Sequence, residues 1–342
     1  MGMDLGISFL NGKNEYLEIN QRLKELGHSE ELNDQEYLWL GTHVEDQWDE
    51  YLKFRQSFRN DANREKGTDF PIYMVIEPSS FCNLRCTMCF QNDENLRKME
   101  GGNMDIALWE KVIDEASKNG CGALTIAGRG EPLINKNIVK MLDYLKDKFF
   151  EVKLNTNALL MNDDIMRSIL RNDICVVFSA EGSNEAEYTG IRKGGDFNVL
   201  VANIKRFHQL REEEFPDSAS RTRICGVSFE SIDSQKYYEF WKDLVDEVAI
   251  TQYEERKDTY NNKRTIQESR CARLWQRVYV WWDGDVSPCD VDYLKKLNMG
   301  NANKESIKNI WNGERFMKIR QLHQCGKRDL VSPCDRCDFA NI

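Results

Sequence analysis

The segment from Ile72 to Cys89, IYMVIEPSSFCNLRCTMC, decides how the chain is read. Its first six residues are mostly apolar and β-favouring, and Pro78 stops them, as expected for a strand covered on both faces. The second half carries Cys82, Cys86 and Cys89 in a CxxxCxxC run with no fourth thiol in the loop. Cysteine thiolates select iron–sulfur clusters or zinc, and structural zinc sites normally close with four protein ligands. Three thiolates in one loop therefore match a [4Fe–4S] cluster with one iron open to an exogenous ligand. An open position points to chemistry at the metal.

Outward from this segment, strand and helix patterns alternate. Strands are expected at Ile72–Glu77, Ala123–Ala127, Glu151–Leu154, Ile174–Ser179, Arg223–Phe229 and Glu247–Thr251. Between them, helices are expected from Asp105 to Asn119, across Lys136–Lys148, near Asp163–Arg171, over Phe197–Glu213 and near Ser234–Leu244. Such alternation implies parallel strands with right-handed crossovers, hence an α/β barrel or a doubly wound sheet. In a barrel, the loops after the strands open onto one face. The cysteine triad follows the first strand and Gly128-Arg129-Gly130-Glu131-Pro132 follows the second. Asn155-Thr156-Asn157 ends the third, Ser179-Ala180-Glu181-Gly182 the fourth and Glu230 the fifth. Acids, amides and glycines recurring at the same strand end indicate one shared site.

Composition narrows the class. The 342 residues include eleven Cys, eight Trp and sixteen Phe, enough for a large packed domain and a smaller one. No run approaches the ~20 apolar residues of a membrane span, and no signal peptide is expected at the N-terminus. Clustered cysteines without a secretion signal suggest metal binding in a reducing, cytoplasmic compartment. The net charge of −10 disfavours nucleic acid as a partner. Residues 1–70 read as a helical N-terminal extension, because Tyr37, Leu40, Val44, Trp48, Leu52 and Phe58 space as one helical face across Asp34–Asn63. Packing as a cap on the main domain is the expectation.

A second cysteine group, Cys271, Cys289, Cys334 and Cys337, lies near the C-terminus. Asp283-Gly284 between β-favouring runs predicts a hairpin that returns Cys289 toward Cys271. Ser306–His323 reads as one amphipathic helix delivering the terminal CxxC. Four thiolates suit an iron–sulfur cluster or a closed zinc site, and Cys325 is an alternative ligand. Cys121, Cys175 and Cys225 fall on expected strands and read most simply as core residues.

From Ile72 to Tyr253 these motifs resemble the radical S-adenosylmethionine (SAM) enzymes and their partial (β/α)6, TIM-like barrel. The resemblance implies that SAM occupies the open iron of the [4Fe–4S] cluster and is cleaved to a 5′-deoxyadenosyl radical. Gly130, Glu131 and Pro132 match the GGEP-type motif that holds the SAM amino group, with Arg129 where glycine is common, either pointing at substrate or bracing the loop. Asn155 and Asn157 match the strand-three element, Ser179 and Glu181 the ribose-binding positions, and Arg192 an arginine that pairs with the SAM carboxylate. Met88 stands where an adenine-packing aromatic is frequent. The C-terminal group resembles SPASM/twitch domains, which implies an auxiliary [4Fe–4S] cluster on Cys271, Cys289, Cys334 and Cys337. The implied organisation is an extension over 1–70, a barrel over 71–265 and a SPASM/twitch domain over 266–342.

The implied activity is oxidation or epimerisation at a hydroxyl-bearing carbon of a sugar, aminocyclitol or similar small polar metabolite, with flavodoxin or ferredoxin as electron donor. Cys225 is the candidate hydrogen donor for epimerisation. Glu230, Tyr253, Glu254, Trp281 and Trp282 are candidate substrate contacts. The alternatives are a peptide or protein maturase and, outside enzymes, a zinc-bound interaction protein.

Overall fold

The order in which the strands pair settles barrel against doubly wound sheet. The computed structural model describes residues 3–7, 13–27, 32–61, 68–229, 232–252, 259–264 and 270–337. Strands β1 (Met3–Ile7), β2 (Tyr73–Ile76), β3 (Ala123–Ile126), β4 (Glu151–Thr156), β5 (Cys175–Ser179), β6 (Thr222–Ser228), β7 (Glu247–Gln252), β8 (Arg277–Val280), β9 (Asp285–Ser287) and β10 (Gly300–Asn301) form one sheet. Its order is β1-β7-β6-β5-β4-β3-β2-β8-β9-β10. From β2 to β7 each strand lies parallel beside the next in sequence. A doubly wound sheet reverses its strand order and so covers both faces with helices. This one never reverses, so right-handed crossovers put the helices on one face and leave the other as a concave lumen. The fold is a partial α/β barrel.

Residue alternation along the strands matches the two environments. Leu124, Ile126, Leu154, Val176, Phe178 and Ile224 point outward into the main core under the helices. Against them pack Trp109, Val112 and Ile113 of helix Ile106–Lys118 and Leu200, Ile204 and Phe207 of helix Phe197–Glu214. The opposite parity, with Glu151, Lys153, Asn155, Cys175, Arg223 and Cys225, lines the lumen.

Both ends of the barrel sheet are extended. At one edge β1 pairs antiparallel with β7, so the N-terminal segment contains a strand as well as helices. At the other, β8 pairs parallel with β2 and turns back through Gly284 (φ 84°) into β9. The expected hairpin therefore forms, and its first strand continues the barrel sheet. This was not readable from its sequence.

Three helical expectations change. Asp34–Asn63 is not one helix: it divides into Asp34–Thr42 and Trp48–Asp61, and Val44 at the break is 67% exposed. Extended backbone at His43 and Val44 makes the break, and the Trp48 indole donates to the His43 carbonyl across it (3.0 Å). Ser306–His323 divides at Asn312-Gly313 into helices Ile307–Trp311 and Glu314–Gln324. The Lys136–Lys148 helix shrinks to Ile138–Asp143. The N-terminal helices pack Trp39, Leu40, Trp48, Tyr51, Leu52 and Phe54 onto Ile72 and Ala123 at the lower end of the barrel. Among the described residues, no helix is long and apolar enough to cross a membrane.

Candidate active site

The loop after β2 is pinned from several sides. Arg85 and Thr87 donate backbone N–H to Lys193 and Ile191 carbonyls, both at 2.9 Å. Gln91 Nε2 donates to the Ser80 (3.0 Å) and Arg129 (2.6 Å) carbonyls, and Asn92 Nδ2 to the Cys86 carbonyl (2.7 Å). Cys82, Cys86 and Cys89 line a cleft of about 290 Å³ at the upper end of the barrel. Met88, Gly130, Glu131, Asn155, Asn157, Ser179 and Arg192 line the same cleft. Pro132 starts a short helical turn beside it.

Gly130 is dictated by space. A Cβ there would lie 2.2 Å from the Phe81 carbonyl oxygen and 2.5 Å from that of Ser79. This close approach lets Glu131 N–H donate to the Phe81 carbonyl at 2.7 Å, tying the second loop to the cysteine loop. Glu131 is fully enclosed, and its carboxylate accepts from Thr156 Oγ1 (2.6 Å), Asn157 N–H (2.8 Å) and Leu133 N–H (3.2 Å). Burial raises its pKa, against the pull of those donors. Asn157 in turn donates to Asn83 Oδ1 between the first two cysteines (2.8 Å). The loops after β2, β3 and β4 thus form one hydrogen-bonded rim.

Two residues expected to contact different parts of SAM are paired with each other. Arg192 donates through Nε (2.5 Å) and Nη2 (3.0 Å) to the two oxygens of Glu181, both side chains being buried. Its remaining Nη1 points at Cys86 Sγ, 3.8 Å away. Arg192 lines the cleft, whereas Glu181 lies behind it. Arg129, readable either as a substrate contact or as a brace, is a brace. Its backbone and side chain donate to Glu77 at 2.6, 3.0 and 2.6 Å, and its guanidinium lies 4.4 Å from the Trp281 ring centre. Cys225 faces the lumen beside Ser179 but lines a separate cavity lower in the barrel. Trp281 is buried under Arg129 and Trp282 packs over Gly102, while Glu230, Tyr253 and Glu254 lie outside the described residues.

The C-terminal thiols gather separately. Cys289 feels the charges of Cys334, Cys337 and Cys271, and burial pushes its thiol well above the ordinary range. Cys325 ends its helix exposed to solvent, outside this group. Cys289 packs on the inner face against Val75, Tyr279 and Trp281. Between the two thiol groups stands an aromatic column. Phe90, next to Cys89, stacks on Tyr293 (5.1 Å, 12°), which meets Tyr260 edge-on at 5.2 Å. Tyr260 donates to Asp292 at 2.6 Å, three residues from Cys289.

Each thiol group offers the donor type of an iron–sulfur site, although among the described residues the side chains are not already converged as a metal cage. Burial raises Cys82 and Cys86, and Cys89 to about 12, so an apo loop holds neutral thiols that metal binding must deprotonate. In the second group the buried His323 Nε2 has no partner among the described residues, while its Nδ1 lies 3.4 Å from Cys271 N–H. An unpaired polar atom beside buried thiols is what a sulfide-bearing cluster would leave when absent.

The radical SAM superfamily profile matches residues 76–240, and that of an iron–sulfur cluster-binding SPASM domain matches 271–338. The chain belongs to the radical SAM superfamily. It is an enzyme of the SPASM-bearing kind, using SAM, a SAM-binding [4Fe–4S] cluster and auxiliary [4Fe–4S] chemistry. Among curated relatives, it is 24% identical to a tungsten-containing aldehyde ferredoxin oxidoreductase cofactor-modifying protein of Pyrococcus furiosus, over 78% of this chain and 89% of that one. It is 23% identical to the antilisterial bacteriocin subtilosin biosynthesis protein AlbA of Bacillus subtilis, over 79% of this chain and 66% of AlbA. Among solved structures it resembles Streptococcus suis SuiB bound to precursor peptide SuiA (TM-score 0.63, 15% identity, 96% of this chain and 88% of that one). It also resembles BtrN in complex with AdoMet and 2-DOIA (TM-score 0.53, 18% identity, 78% and 92%). These structures share its fold.

Sequence reasoning missed Glu77, Asn83, Gln91, Asn92 and His323. Each acts through a partner distant in sequence, and an isolated acid, amide or histidine carries no spacing signal.

Proposed function

We propose that this radical SAM enzyme carries out a net two-electron oxidation, or an epimerisation, at a C–H bond of a substrate bound in the barrel lumen. The observation that carries this reading is the arrangement of the thiol groups. A three-cysteine loop opens on the cleft, and a second four-cysteine group gathers about Cys289, just after a hairpin that is continuous with the barrel sheet. Bound there, SAM and its cluster supply the 5′-deoxyadenosyl radical. The chain's part is to orient and to exclude water. In this reading Cys82, Cys86 and Cys89 hold the first cluster, and Cys271, Cys289, Cys334 and Cys337 the auxiliary one. Gly130, Glu131, Asn155, Asn157, Ser179 and Arg192 shape the SAM cleft, with Met88 against the adenine. Arg192 turns its Nη1 from Cys86 to the SAM carboxylate while keeping Glu181. The column Phe90–Tyr293–Tyr260 runs from beside Cys89 toward the Asp292 segment that follows Cys289.

The leading substrate class is a polar metabolite oxidised at a hydroxyl-bearing carbon, as BtrN was crystallised with the small molecule 2-DOIA. A second reading, modification of a peptide, is favoured by the long overlap with AlbA, named for bacteriocin biosynthesis, and by SuiB with its precursor peptide. Reduction by a flavodoxin or ferredoxin belongs to both. The test is 5′-deoxyadenosine formed per turnover by the anaerobically reconstituted enzyme with aminocyclitols and sugars in one arm and precursor peptides in the other. Stoichiometric product in the first arm alone supports the leading reading; in the second alone, the maturase reading. SAM cleavage unaffected by either class would remove both.

A further inference from the structure

Below the SAM cleft the lumen holds a second cavity of about 320 Å³, in the range of small-molecule sites. Asn155 lines both cavities, so they meet at β4. Phe150, Tyr73 and Trp39 give the lower cavity aromatic walls, Trp39 being stacked between His43 (3.9 Å) and Tyr51 (3.8 Å). Its charged lining divides sharply. Glu151 accepts from Tyr51 (2.8 Å) and Arg55 (3.4 Å), Arg223 pairs with Glu247 (2.6 Å), and Asp173 accepts from Ser218 (3.2 Å) and Ala219 N–H (2.8 Å). Arg221 also has a partner. Lys153 differs. Half-buried on the lumen face of β4, two residues below Asn155, its ammonium has no hydrogen-bond or ion-pair partner among the described residues. A half-buried cation with no direct partner is free to pair with an anion that enters the cavity.

We propose that Lys153 is a specificity-determining residue that pairs with a carboxylate of the substrate in the lumen, holding the rest of the molecule against Asn155 and the SAM cleft. This rests on the proposed placement of the substrate in the barrel. One unmatched ammonium fits one monoanionic group. A phosphate would call for a forked guanidinium or a cluster of backbone N–H donors, and the arginines here are already engaged. The carboxylate has two possible sources, an acidic side chain of a peptide or a sugar acid.

The test uses the reconstituted, SAM-loaded enzyme and its Lys153→Met and Lys153→Arg variants. The probes are glucuronate against glucuronamide, and acetyl-Ala-Glu-Ala-amide against acetyl-Ala-Gln-Ala-amide. Binding is read from the fluorescence of Trp39 at the cavity wall and by calorimetry. In wild type, one carboxylate probe is expected to bind at least about ten times more tightly than its amide partner. Lys153→Met should abolish that preference and Lys153→Arg should keep most of it. The preferred pair identifies the source. Equal binding of acid and amide, binding of neither pair, or a preference that survives Lys153→Met each overturns the proposal. Iron content and substrate-free SAM cleavage are measured in parallel. Both should match wild type in Lys153→Met, so failure of the lumen site is distinguishable from failure of the radical SAM reading.

Discussion

Replacing Arg129 by Met removes the cation from a pair that is almost wholly enclosed, its side chains 2% (Arg129) and 1% (Glu77) exposed. Glu77 keeps the backbone N–H of Arg129 (2.6 Å) and a long contact from Trp282 N–H (3.4 Å), but loses both guanidinium bonds. Breaking a buried pair from one side costs about 3–5 kcal/mol, because the surviving charge is stranded. The lost contact over Trp281 adds about 1 kcal/mol. Arg129→Met should therefore destabilise by about 4–6 kcal/mol, much of the stability of an ordinary domain. Adding Glu77→Gln removes the stranded charge, and the double variant should recover at least about 2 kcal/mol. The assay is anaerobic urea unfolding of the reconstituted protein and the three variants, followed by tryptophan fluorescence. If the double variant is as unstable as the sum of the singles, the pair is not coupled. The reading of Arg129 as a brace, held by Glu77 and resting on Trp281 of the C-terminal hairpin, then fails.

Gly130→Ala should push the second loop off the Phe81 carbonyl; a displacement near 1 Å is expected to lower SAM cleavage about 100-fold, measured as 5′-deoxyadenosine release. Cys325→Ser should leave iron content unchanged, whereas Cys334→Ser should lose about four irons per chain, counted colorimetrically after reconstitution. Burial, then Arg211, lowers the pKa of His208. The folded state therefore binds its proton less readily than the unfolded chain, and stability falls as pH drops below about 6.5. The unfolding free energy of wild type from urea titrations should decline through that window by up to about 1.4 kcal/mol per pH unit from this group, and His208→Asn should flatten the slope.

What the sequence made legible was whatever repeats or clusters. The six barrel strands were readable because apolar runs alternate with amphipathic helices, and their observed starts and ends lie within two residues of the expected ones. The cysteine loop, the Gly128–Pro132 segment and the Asp283-Gly284 hairpin were readable because local spacing carries their chemistry. Pairings across the fold were not. Nothing in Arg277–Val280 says that it adds to β2, and nothing near Met3–Ile7 says that it closes on β7. Glu181 and Arg192 each match a ligand-binding position, yet their mutual ion pair appears only when helix Glu185–Ile191 folds one back over the other. Arg129 is similar: its loop motif left substrate contact and brace equally open, because its partner Glu77 lies 52 residues away. The helix breaks at Val44 and Gly313 were hidden because the apolar spacing continues across both.

The most direct check begins with anaerobic reconstitution of the chain with iron and sulfide, an iron count, and electron paramagnetic resonance of the dithionite-reduced protein with and without SAM. The account predicts about eight irons per chain and two reduced cubane signals. SAM should perturb the one that Cys86→Ala abolishes, and the reduced protein should convert SAM to 5′-deoxyadenosine and methionine. A protein that takes up only a redox-silent metal, or whose reduced clusters ignore SAM and leave it intact, would contradict it.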